Sequence, residues 1–160
     1  MNQPNDGTEF DDPLQNYDPK KYRDSLEKAL AEETVARIQH RPHSSISPDA
    51  KVAEAIEQLA AQHVACLLVE ENGDLVGVFT DRETLNAMAR DIDLREATVR
   101  DVMSKNPVFV YTTDPAAAAL CVMAVGGFRH VPIIDVDEKI AGVVSPQRVT
   151  AFLSKHFSPK

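Results

Sequence analysis

The 160-residue chain is 43% apolar, 26% charged and 6% aromatic, the profile of a soluble globular protein that can bury a core without disulfides or metals. Its formal charge of −8, from 25 acidic and 17 basic residues, argues against nucleic acid, whose binding needs clustered cations. The longest uncharged run, Pro115 to Phe128, has 14 residues, too few to cross a bilayer. The start MNQPNDGTEFDD lacks the basic-then-apolar order of a signal peptide. Cys66 and Cys121 lie far apart in apolar surroundings, so two buried thiols in a reducing, cytoplasmic setting are expected.

Residues 1–17 are rich in Asn, Asp, Gln, Pro and Gly and read as an acidic, disordered tail. Asp18-Pro19 reads as a helix start, and Tyr22, Leu26, Ala29 and Leu30 mark one face of a helix over 18–33 that could pack on the body. From residue 34 the chain reads as a repeat, 34–92 and 93–157. At an offset of 65, Pro42 maps to Pro107, Asp49 to Asp114, Gly77 to Gly142, Val78 to Val143 and Thr80 to Ser145. Before the prolines the offset is 64, with Thr34-Val35 mapping to Thr98-Val99.

Each copy predicts strand, helix, strand, strand, helix. The first strand is His43–Ile46 or Val108–Tyr111. The helix after it opens at Ser47-Pro48 or Asp114-Pro115, with apolar faces Val52, Ala55, Ile56, Leu59 and Ala117, Leu120, Cys121, Ala124. Two apolar strands follow, Cys66–Val69 and Leu75–Phe79, matched by Val131–Ile134 and Ile140–Val144, joined by the acidic turns EENGD and DVDEK. A second helix starts at Thr80 or Ser145; in copy two its buried face is Val149, Phe152, Leu153 and His156. Met88, Met103 and Met123 read as core. The fold class is α+β: two βαββα repeats packed sheet to sheet, helices outside, with pseudo-two-fold symmetry and clefts where the copies meet.

Gly77-Val78-Phe79-Thr80-Asp81-Arg82-Glu83, Gly127 to Asp135 (GFRHVPIID), Ile140 to Ser145 (IAGVVS) and Thr98 to Met103 (TVRDVM) resemble the tandem cystathionine β-synthase (CBS) domain pair, or Bateman module, over about residues 34–157. The resemblance implies a stand-alone, bacterial-type, non-catalytic regulatory module with adenine nucleotide (AMP, ADP, ATP) or S-adenosylmethionine as ligand and no required cofactor. It also implies a homodimer and an effector protein acting in trans. Membrane and nucleic-acid partners are not expected. By resemblance, Thr80 and Ser145 would meet phosphate where a strand ends and a helix begins, with Arg82, Arg129 and Arg148 as cationic neighbours. The acid three residues on, which takes ribose hydroxyls in the family, is Glu83 in copy one; Arg148 replaces it in copy two and accepts no hydrogen bond. Adenine would lie against Val64–Cys66 in one cleft and His130–Pro132 in the other. The Thr80/Glu83 cleft is then the better nucleoside site, and the other is empty or holds the phosphate end of a ligand.

Plainer readings stand beside these. Thr80-x-x-Glu83 is also a capping box, Ser145-Pro146 an N-cap with first-turn proline, and Arg148 a solvated charge. His40-x-x-His43 lacks a third ligand for a metal. No nucleophile elbow, phosphate loop or His-Glu-x-x-His motif occurs. An interaction or dimerisation module with empty, degenerate clefts is the alternative function.

Overall fold

The computed structural model describes residues 20–38 and 43–157; the expected tail, Asp18-Pro19, His40 and Pro42 lie outside them. The first helix, α1 (Ser25–Glu32), starts later than its sequence suggests, because Asp24 takes the cap and its side chain accepts from the Glu27 amide at 2.9 Å. Tyr22 therefore precedes the helix. A 3-10 turn, Val35–Arg37, follows.

Copy one contains β1 (Ser45–Ile46), α2 (Val52–Gln62), β2 (Cys66–Glu71), β3 (Asp74–Thr80) and α3 (Asp81–Ala89). The linking chain forms α4 (Val99–Val102) and β4 (Ser104–Lys105). Copy two contains β5 (Val110–Tyr111), α5 (Ala116–Gly126), β6 (Val131–Ile134), β7 (Ile140–Val144) and α6 (Pro146–His156). The sheets run β1-β2-β3-β4 and β5-β6-β7; in each the first pair is parallel and the next antiparallel.

The strands are continuous apolar runs because both faces are covered. Leu67, Val69 and Phe79 meet α2 and α4 on the outer face of the first sheet. Cys66, Leu68 and Val78 meet Val143, with Leu75 and Ile140 at the margin, in the layer between the sheets. At the hairpin tips Lys139 Nζ lies 2.9 Å from Asp74 Oδ1.

The strand registers correct the sequence alignment. Leu67 pairs with Phe79 and Val131 with Val144; Glu70 pairs with Leu75 and Ile134 with Ile140. The copies therefore correspond at offset 64 up to the hairpin and at 65 after it. The first hairpin closes on Asn72-Gly73, both at positive φ, the two-residue turn such a dipeptide favours; the second needs one residue more. This slip explains why the expected face of α5 is wrong. Ala116 and Ala119 are buried, with Leu120 and Met123 packed beside them, while Cys121 is exposed. These are the positions of Val52, Ala55, Ile56 and Leu59 moved by 64. The helix is apolar all round, so periodicity could not select its phase.

Ser47-Pro48 and Asp114-Pro115 open turns ahead of the helices rather than capping them. Asp114 accepts from the Tyr111 amide at 2.8 Å, and Ser47 Oγ from the Asp49 amide at 3.2 Å. The first helical amides are instead taken by the other copy's entry segment. Val52 N donates to Ala97 O at 3.0 Å and Ala116 N to Glu33 O at 2.7 Å. In return Val99 N donates to Ala50 O at 2.9 Å and Val35 N to Asp114 O at 2.8 Å. Val35, Ile38 and Ala29 thus belong to the core under copy two, and Val99 and Met103 to the core under copy one. Met88, expected in the core, is 57% exposed on the outside of α3.

Candidate functional site

Two clefts open where the copies meet, as the repeat implies. The first, about 270 Å³, takes Val78, Thr80, Arg82 and Glu83 from copy one, Ser104 to Val108 from the linking chain, and Phe128, Arg129 and His130 from copy two. The second, about 440 Å³, takes His63, Val64, Ala65 and Cys66 from copy one and Val143, Ser145, Pro146, Gln147 and Arg148 from copy two, with His43 and Ser44. Arg129 and His130 form the wall common to both.

At the first cleft, β3 ends and α3 begins at Thr80. Thr80 Oγ1 accepts from the Arg82 amide at 3.1 Å, and the Thr80 amide donates to Glu83 Oε2 at 2.9 Å. The Thr80 hydroxyl donates to the same oxygen at 2.5 Å. The other oxygen, Glu83 Oε1, accepts from Ser104 Oγ at 2.8 Å. Glu83 is buried, and a buried carboxylate needs such partners. The capping-box reading of Thr80-x-x-Glu83 therefore describes the geometry, and Glu83 also ties α3 to the linking chain.

Arg129 reaches across the copies to Asp81, with Nη2 at 3.0 and 3.2 Å from its two carboxylate oxygens. Burial, followed by the nearby Arg129 charge, lowers the pKa of His130 despite the opposing pull of Asp81. The ring is then neutral at pH 7 and offers one donor and one acceptor. Burial, with Glu83 adding its charge, pushes the Cys66 thiol up to about 12, so Cys66 is an apolar wall residue of the second cleft rather than a nucleophile.

At the second cleft Ser145 precedes α6 as the sequence indicates, but its side chain makes no cap hydrogen bond. Arg148 takes the place that Glu83 holds in copy one.

Of the residues expected to bind a nucleotide, Thr80, Arg82, Glu83, Arg129 and His130 gather in the first cleft. Val64, Cys66, Ser145 and Arg148 gather in the second, again with Arg129 and His130. Pro132 lines neither: it is buried in β6 opposite Val143, within the inter-sheet layer. The wall equivalent to Val64–Cys66 at the corrected offset is Phe128–His130, so sequence reasoning missed Phe128. It also missed Lys105, brought to the cleft by β4, a two-residue strand too short to leave a periodic signal. The usable clue to Phe128 lay in His63 and Gly127. Both end a helix in the left-handed conformation, φ 53° and 66°, and they stand 64 apart.

The CBS domain family model matches residues 35–90 and 99–155. A CBS domain-containing protein of Arabidopsis thaliana, CBSCBSPB5, is 38% identical over 112 residues, 69% of this chain and 20% of its own length; the chain spans about a fifth of such relatives. A solved CBS domain protein from Pyrobaculum aerophilum, complexed with AMP, superposes at TM-score 0.68 with 23% identity, covering 76% of this chain and 98% of that one. The CBS domain pair of the protein MJ0100, in complex with 5′-methylthioadenosine and S-adenosyl-L-methionine, gives 0.69 with 20% identity, covering 76% and 96%. With two matched segments covering most of the described residues, and a pair of sheets joined through the same layer, the chain belongs to the CBS domain family and carries two copies in tandem.

Proposed function

We propose that the chain is a non-catalytic regulatory module that binds an adenine nucleotide, AMP, ADP or ATP, in the Thr80 cleft and passes ligand state to a partner protein. One observation carries this reading: that cleft draws its walls from both copies, so a ligand in it favours one relative packing. The chemistry of the walls fits. Phe128 and Val108 offer apolar surface to a base, and neutral His130 can donate or accept at its edge. Arg82 and Lys105 supply cations for phosphate at the start of α3. Glu83 Oε1, which accepts from the rotatable Ser104 hydroxyl, is the acceptor open to exchange with a ribose. The bound AMP and S-adenosyl-L-methionine in similar folds support the ligand class.

A homodimer accompanies this reading, supported by Leu85 and Met88, 64% and 57% exposed on one side of α3. The two free cysteines fit a reducing, cytoplasmic setting.

Calorimetric titration with AMP, ATP and S-adenosylmethionine tests the proposal. Binding of one of them, reduced at least tenfold by Arg82→Gln with Lys105→Gln, is the expected result. No heat with any of the three would leave the second reading, a dimerisation module with empty clefts. That reading is favoured by one fact: both oxygens of Glu83 are already taken by Thr80 and Ser104.

A further inference from the structure

Arg148 lines both the second cleft and a neighbouring trough of about 250 Å³, whose other walls are Glu33, Arg37, Ile38, Ala151, Phe152 and Lys155. On α6, residues 148, 151, 152 and 155 share one face, at spacings of three, four and seven. Arg148 and Lys155 therefore stand about 10 Å apart along the helix, with Ala151 and Phe152 between them in the wall of the trough. Arg37 faces them from the end of the 3-10 turn. Among the described residues the trough is lined by three cations and one carboxylate, Glu33, whose Oε1 lies 3.3 Å from His156 Nε2. Among the described residues the second cleft itself is lined by Arg129, whose charge is met by Asp81, and by Arg148, with no carboxylate in its wall. This concentration of positive charge occurs in a chain of net charge −8.

The pseudo-symmetry sharpens the point. The residue equivalent to Arg37 in copy one is Asp101, and that equivalent to Arg148 is Glu83. Both acids are N3 members of capping boxes: Asp101 Oδ2 accepts from the Thr98 amide at 2.9 Å and from its hydroxyl at 2.7 Å, as Glu83 does from Thr80. In copy two both boxes are broken. Thr34 and Ser145 make no side-chain cap hydrogen bond, and an arginine stands in each vacated acid position. At two positions, then, one side of the molecule carries a base where the equivalent position on the other side carries an acid.

We infer that the second cleft and its side trough form one continuous site for a chain of phosphates, running from Ser145 past Arg148 to Arg37 and Lys155. The inference rests on reading the clefts as ligand sites, and it assigns them different chemistry: a nucleoside at Thr80, a polyphosphate at Ser145. The phosphate chain is either inorganic or the tail of a nucleotide. Arginine suits the role because its planar fork pairs with two phosphate oxygens at once, and the 10 Å span rewards several linked phosphates over one.

Calorimetric titration of the intact protein with inorganic tripolyphosphate, ATP and AMP tests it, on wild type and on Arg37→Gln with Lys155→Gln. These two side chains lie on the exterior and outside the Thr80 cleft, and equal melting temperatures confirm that the variant folds. Tripolyphosphate should bind once per chain and lose at least tenfold in affinity in the variant, while AMP affinity is unchanged. Amide shifts on tripolyphosphate addition should concentrate in Ser145 to Lys155. If ATP loses affinity in parallel, the phosphate source is a nucleotide tail; if ATP is unaffected, it is inorganic. Absence of tripolyphosphate binding, equal affinity in the variant, or shifts confined to the Thr80 side would overturn the inference. Loss of AMP binding in Arg82→Gln with Lys105→Gln bears only on the nucleoside reading.

Discussion

Gly77 shows how one residue sets a boundary of the first cleft. A Cβ there would lie 2.5 Å from Met103 Sδ and 3.1 Å from Ser104 O. The missing side chain lets the linking chain run against β3, which in turn brings Ser104 to Glu83 and Lys105 to the cleft. Gly77→Ala should cost roughly 1 to 3 kcal/mol, as overpacking does, read as a lower urea midpoint at unchanged slope. His130 carries a pH dependence. Its pKa is lowered on folding by burial and by Arg129, so the unfolded chain binds more protons there as pH falls. Its contribution is therefore neutral above the ordinary histidine range and destabilising as pH drops through about 6.5 and below. His130→Gln should flatten the fall in urea midpoint between pH 7 and pH 5; an unchanged slope would exclude His130 as its source. At pH 8 an alkylating reagent should label exposed Cys121 well before buried Cys66.

At the scale of elements, α3 and α6 begin at equivalent strand ends with different chemistry. The amides of α3 are capped by Thr80, whose own amide and hydroxyl are held by Glu83, whereas α6 relies on Pro146 in its first turn. Thr80→Ala should therefore lower stability by about 1 to 2 kcal/mol, and Ser145→Ala by only a few tenths. Equal losses in thermal unfolding would contradict the inequivalence of the two ends. Element positions were largely legible in the sequence. The strands β6 and β7 fall on Val131–Ile134 and Ile140–Val144 as their apolar runs indicate, and the buried faces of α2 and α6 follow their helical spacing. The phase of α5 was not legible, because Ala116 to Gly126 is uniformly apolar. The alignment that could have supplied it was shifted one residue by the longer second hairpin.

At the scale of the molecule, the exchanged entry segments interlock the copies. The stretch containing Val35 and Ile38 lies beside α5, while Val99 and Met103 fill the core of copy one. Neither sequence repeat holds a complete core alone, so heat and urea should unfold the chain in one transition with coincident probes. Ile38→Ala, at 2% exposure, should cost about 2 to 5 kcal/mol. Its effect on amide exchange should appear first in α5, β6 and α6, although residue 38 belongs to the first repeat in sequence. Faster exchange confined to α2 and β2 would refute the interlock.

The sequence by itself determined the duplication, the order of strands and helices, the strand-to-helix junctions at Thr80 and Ser145, and the opposite charges at Glu83 and Arg148. Local spacing and turn chemistry write these directly into the chain. Only the tertiary structure decided which residues share a cleft, that Phe128 and Lys105 belong to the first one while Pro132 belongs to neither, and that Arg37 and Lys155 line a trough beside Arg148. Those facts depend on strand register and on contacts between segments many residues apart. A one-residue difference in hairpin length changes register without leaving a mark on composition or periodicity.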